Sequence, residues 1–197
     1  MKISNQQNPQ ISFFKIDHPV EAFVTPPNDT LAGLLMDKLP KDSIEIRGNI
    51  GGKDFNYNYS MKENKINMHG SYDGLPFDSE GTLSKEVTLK GSTGENTLTG
   101  KITPQNMGPF TESQSGEISV KEKVDINIWT GIISVNGSIG GEELKETIKA
   151  NDDGTKILDL GNIGKWKIER EVVRTEKGFY IKGTIGNLSF EEFITAK

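Results

Sequence analysis

The sequence predicts an all-β fold with one short N-terminal helix. It reads as an antiparallel up-and-down meander of about 12–14 strands, made of hairpin repeats of about 22 residues and curled into a barrel or a strongly curved sheet around the helix. Three observations predict it. A glycine flanked by apolar residues, a small turn pair and a returning apolar residue recur together along the chain. Within each copy apolar and polar residues alternate with the period of a strand. Only the segment before Ser43 departs from that alternation, and there the period is helical. A two-sheet sandwich is the alternative architecture, because periodicity places residues on faces without showing that a sheet closes.

Residues 1–42 form an N-terminal segment. Its stretch Ile11-Ser12-Phe13-Phe14-Lys15-Ile16 suits a strand that covers a sheet edge. A helix follows near residues 29–39: Asn28 or Asp29 offers the cap, Leu31, Leu34, Leu35 and Leu39 share one face, and Pro40 stops it. So short a helix is unstable alone and needs a surface for its leucines. That surface is expected from residues 43–197, the two parts together making one structural domain.

The repeat is clearest in Ile46-Arg47-Gly48-Asn49-Ile50-Gly51-Gly52 with Phe55, and in Val135-Asn136-Gly137-Ser138-Ile139-Gly140-Gly141 with Leu144. Gly183 with Phe190, Gly70 with Phe77, Gly91 with Leu98 and Gly161 with Ile168 fit the same template, although Asp159 takes a position that is apolar in the other copies. Residues two apart share a face, so each lead glycine belongs to the apolar face of its strand. The pairs that follow, such as Gly51-Gly52 and Asp73-Gly74, tolerate positive φ and suit two-residue hairpin turns. The expected role of the glycine belt is to lower the wall where the helix passes, or to let the sheet coil more sharply.

Composition narrows the function classes. Hydrophobic residues make up 33% of the chain and glycine 22 residues, which suits sheets with one apolar face. The net charge of -5 is spread along the chain without a Lys/Arg block, so nucleic acid is not an expected partner. Cysteine is absent, which removes disulfides, thiolate metal sites and a cysteine nucleophile. No apolar run is long enough for a membrane-spanning helix, and no secretory leader is visible. Cytoplasmic residence is therefore the default expectation unless a leader was trimmed.

No residue stands out as catalytic. His18 and His69 stand apart, and His69 falls on the outward face. The pairs Glu142-Glu143, Asp152-Asp153 and Glu191-Glu192 fall at or just after turns, where solvated hairpin ends explain them better than a metal site does. The glycine pairs lead into strands and not helices, so they do not form a phosphate loop. No cofactor or metal is expected. The aromatic residues are more informative: Tyr57, Tyr59, Tyr72 and Trp166 lie on the apolar face and are candidates for lining a ligand cavity, whereas Trp129 and Tyr180 take the opposite parity and are candidates for an interaction surface. The leading functional expectation is a non-enzymatic binding protein for a small apolar ligand. The alternative is a structural or protein-interaction scaffold presenting its outer face, and the third reading is a barrel enzyme without a recognisable motif.

Overall fold

The computed structural model describes residues 19–24, 28–82, 87–93, 96–105, 108–115 and 118–197. Among them lie helices α1 (Pro19–Phe23) and α2 (Thr30–Met36), followed by strands β1 (Ile44–Ile50), β2 (Lys53–Lys62), β3 (Lys65–Tyr72), β4 (Leu75–Thr82), β5 (Val87–Thr93), β6 (Asn96–Gln105) and β7 (Gly108–Ser115). The second half comprises β8 (Ile118–Ile126), β9 (Ile133–Ile139), β10 (Glu142–Ala150), β11 (Ile157–Ile163), β12 (Trp166–Arg174), β13 (Gly178–Ile185) and β14 (Leu188–Ala196). Each strand pairs antiparallel with the next. Strand β1 also pairs with β14, from Ile44 opposite Ala196 to Ile50 opposite Phe190, so the ladder returns on itself as a closed barrel.

The hairpins form where the small pairs allow them. Both residues of Gly51-Gly52, Asp73-Gly74 and Gly140-Gly141 have positive φ, the geometry of a primed turn that matches strand twist. The register then sets each lead glycine directly opposite its returning apolar residue: Gly48 with Phe55, Gly70 with Phe77, Gly91 with Leu98, Gly137 with Leu144, Gly161 with Ile168 and Gly183 with Phe190.

The reason for glycine differs from the expected clearance of the helix. A Cβ at Gly137 would overlap the carbonyl oxygen of Lys121 on β8, and one at Gly183 would overlap that of Glu169 on β12. The neighbour is the backbone of the adjacent strand and not α2. Glycine is therefore required because two strands approach closely where the sheet coils, the second of the two roles expected for it.

Parity fills the lumen with apolar side chains and leaves the exterior polar. Ile44, Ile46, Ile50, Val135, Ile139, Ile163, Ile168, Ile181, Ile185 and Ile194 point inward and are buried. Arg47, His69, Lys145, Lys167, Glu169 and Lys182 point outward and are exposed. This is the reverse of a barrel whose outer face meets lipid chains. Among the described residues no helix is long and apolar enough to cross a membrane.

The N-terminal helices occupy the lumen. All five residues of α1 are buried, as are Leu31, Ala32 and Leu35 of α2. Asp29 caps α2, accepting the Ala32 N–H, but the helix ends at Met36, before Pro40. Its last turn tightens, with the Lys38 N–H on the Leu35 carbonyl and the Leu39 N–H on that of Met36. Helix α1 was not anticipated, since Pro-Val-Glu-Ala-Phe is too short to show a period, although proline suits a first helical position. The covering strand expected at Ile11–Ile16, and His18, lie outside the described residues.

Candidate functional site

Two features of the lumen carry chemistry: a buried charged belt around Arg170 and an apolar mouth beside α2. The belt arises from four return strands, β8, β10, β12 and β14, each of which places one charged residue at an otherwise apolar inward position. Glu122 on β8, Glu146 on β10, Arg170 on β12 and Glu192 on β14 are all buried. Each lies directly across the ladder from a lead glycine, namely Gly137, Gly161, Gly183 and Gly48 in turn.

Arg170 is the hub. Its Nη1 and Nη2 donate to the two carboxylate oxygens of Asp29 at 2.8 and 2.9 Å, and its Nε donates to Asp159 at 2.7 Å. Glu146 lies 3.5 Å from Nη2. The guanidinium also sits 5.2 Å from the ring centre of Phe23 and 5.0 Å from that of Phe190. A planar, weakly hydrated cation is suited to this combination of a bidentate carboxylate and aromatic faces. Asp29 thus serves twice, capping α2 and fastening it to the barrel wall. A second tie joins Lys53 on β2 to Glu21 of α1 at 2.6 Å.

Carboxyl groups outnumber guanidinium in this belt, and burial shifts the surplus toward the protonated form. Burial pushes Glu122 well above the usual carboxylate range, and the nearby Asp29 charge adds to the effect. Glu192 is raised by the same two causes. Glu146 is raised by burial and by Asp159, and Asp159 is itself raised by burial despite Arg170. Oε1 of Glu122, Oδ1 of Asp159 and Oε1 of Glu192 are buried without a hydrogen-bond partner, which accounts for the preference for the neutral acid.

The mouth is at the end of the barrel where the connections are longer. A cavity of about 1250 Å³ opens there. Leu31, Leu34, Leu35 and Leu39 form one wall, and Ile133, Ile148, Ile157 and Phe179 from β9, β10, β11 and β13 form the other. Lys38, Arg174, Glu176 and Lys177 stand at its rim. None of the buried residues of the charged belt lines it.

The aromatic candidates lie elsewhere. Tyr57 and Tyr72 are buried and pack with Phe55, the Phe55 and Tyr72 rings stacking at 6.4 Å. Both hydroxyls are pushed upward, first by burial and then by acidic neighbours. Tyr59 is half-buried on β2, and Trp166 is half-buried beside a short turn at the other end of the barrel, with Lys165 5.1 Å over its ring. None of the four lines the described cavity.

Tyr180 lies on the outer face, stacked on Phe193 at 4.4 Å, with its hydroxyl donating to Glu191. Trp129 is 90% exposed, but it sits in the connection after β8 and not on an outward strand face. The Asn127 side chain holds that connection by accepting the Trp129 and Thr130 N–H groups. His69 is outward as expected, 2.6 Å from Asp78. Of the acidic pairs, Glu142, Glu143, Asp152, Asp153 and Glu191 are exposed, whereas Glu192 is buried. The solvated reading of Glu192 is therefore corrected: adjacent strand residues point to opposite faces, so only one member of the pair can reach water.

The belt escaped the sequence reading although its signal was present. Leu144-x-Glu146-x-Ile148, Ile168-x-Arg170-x-Val172 and Phe190-x-Glu192-x-Ile194 place a charge at an inward position between two apolar ones. No family model, curated protein or solved structure matches this chain.

Proposed function

We propose that the chain is a non-enzymatic binding protein that takes a small, largely apolar ligand in the mouth of the barrel, beside α2. The cavity of about 1250 Å³, walled by leucines of the N-terminal segment and by apolar residues of four strands, carries this reading. Such a concave, mostly apolar space with few polar groups is the usual form of a small-molecule site. The test is titration with a polarity-sensitive apolar dye, followed by its displacement with aliphatic competitors. Saturable binding that is lost in Ile148→Trp, with the fold retained, supports the assignment. Absence of saturable binding to a well-folded sample refutes it.

A second reading, a scaffold for a protein partner, is favoured by Ile128 and Trp129, which are 81% and 90% exposed on a connection held by its own hydrogen bonds. A solution mass that rises with concentration, and falls back in Trp129→Ala, would support self-association through this connection.

A further inference from the structure

We infer that the mouth selects an aliphatic ligand with a single anionic head group, an inference that rests on the binding function proposed above. Parity on β12 sets the charge at the mouth. Ile168, Arg170 and Val172 point into the barrel, and Arg174, two residues further on, is the next position on that face and emerges at the mouth. It lies across the ladder from Phe179, which lines the cavity. Lys177 stands in the connection between β12 and β13, and Lys38 follows the last turn of α2, so three cations converge on the opening from separate elements.

About half of the lysines with described side chains are ion-paired, and those at the mouth are not. Lys41, Lys53, Lys123, Lys145, Lys156, Lys167 and Lys182 each have a carboxylate within 4 Å. Lys38, Arg174 and Lys177 have no ion-pair partner among the described residues. Glu176 is the one lining carboxylate likewise unpaired, whereas Glu45, also at the rim, is 3.9 Å from Arg47. Arg47 and Lys197 add positive charge on the outer side. The opening is thus locally positive on a chain whose net charge is -5. Long cationic side chains lay their stems along apolar surface and keep their charge at its edge, the arrangement needed to hold an anionic head while the tail lies among the leucines. A neutral hydrocarbon would leave these charges unused, and a cationic amphiphile would be repelled.

The experiment uses the full chain and an uncharged polarity-sensitive dye, displaced by dodecanoate, dodecanol or dodecyltrimethylammonium, each below its micelle concentration. The expected order is dodecanoate tightest, by about tenfold over dodecanol at low ionic strength, with the ammonium compound weakest. The advantage of dodecanoate should shrink in 0.5 M salt and in Lys38→Gln/Arg174→Gln/Lys177→Gln, while dodecanol binding stays within about twofold. All three side chains are exposed, so the variant is expected to fold, and circular dichroism checks this. Equal displacement by dodecanoate and dodecanol, or preference for the ammonium compound, overturns the head-group inference while leaving the apolar site standing. Failure of every alkyl compound to displace the dye, or of the dye to bind, overturns both.

Discussion

Replacing Arg170 with methionine tests the architecture at its most connected point. The side chain is fully buried and makes two hydrogen bonds to Asp29, one to Asp159 and a longer ion pair to Glu146. Methionine approximates its volume but leaves these carboxyls without a cation. Removing one partner of a buried ion pair costs about 3–5 kcal/mol, much of it from the charge left behind. Protonation of the abandoned acids offsets part of that cost, so the loss must depend on pH. At pH 7.5 a loss of about 3–5 kcal/mol is expected, and at pH 5 a distinctly smaller one, because less work is needed to neutralise Asp159, which burial already pushes upward. Urea unfolding at both pH values, with midpoint and slope compared, measures the difference. Arg170→Met/Asp29→Asn should recover part of the loss at pH 7.5, since it removes one stranded charge, and the double-mutant comparison isolates the coupling. A single variant within about 1 kcal/mol of the parent at pH 7.5, or equally destabilised at both pH values, would refute the reading of Arg170 as the fastening of α2.

Other expectations follow from the same geometry. In the parent protein Glu122, Glu146 and Glu192 hold protons more tightly folded than unfolded, so stability should fall as pH rises from the unfolded value near 4.3 through their raised folded values, by up to about 1.4 kcal/mol per pH unit for each titrating group. Urea midpoints that rise between pH 5 and 8 would contradict this. Gly137→Val should lower stability by about 1–3 kcal/mol or more, because its Cβ meets the Lys121 carbonyl oxygen on β8, and calorimetry reads the change. Gly33→Ala should act oppositely, gaining up to about 1 kcal/mol, since no heavy atom approaches the new methyl group within 4 Å and alanine favours the helix. Trp129→Ala should leave the unfolding midpoint nearly unchanged and remove the long-wavelength part of the tryptophan emission, leaving that of half-buried Trp166.

The strand meander was legible because its signals are local. Gly51-Gly52 and Gly140-Gly141 announce turns, and the alternation in Ile44, Ile46, Gly48 and Ile50 assigns a face without reference to any other strand. Leu31 and Leu35 were likewise readable as the buried stripe of a helix. The site was less legible. Tyr57 and Tyr72 have the parity of cavity-lining residues, but the same parity describes packing, and the structure stacks Tyr72 on Phe55 away from the mouth. Glu192 looked like half of a solvated pair because its neighbour Glu191 is one. Arg170 and Asp29 are 141 residues apart in the chain, and nothing near either residue names the other.

By itself, then, the sequence determined the strand period, the hairpin turns, the inward parity of the apolar strand residues and the need of a leucine-striped helix for a surface. Only the tertiary structure decided that β1 pairs with β14, that the lead glycines serve close strand approach, that Arg170 holds Asp29, and that an apolar mouth opens beside α2. The division has a physical cause. Turn preference and side-chain alternation are set by neighbouring backbone angles, whereas closure, ion pairing and cavities depend on residues far apart in the chain being brought together by every intervening strand at once.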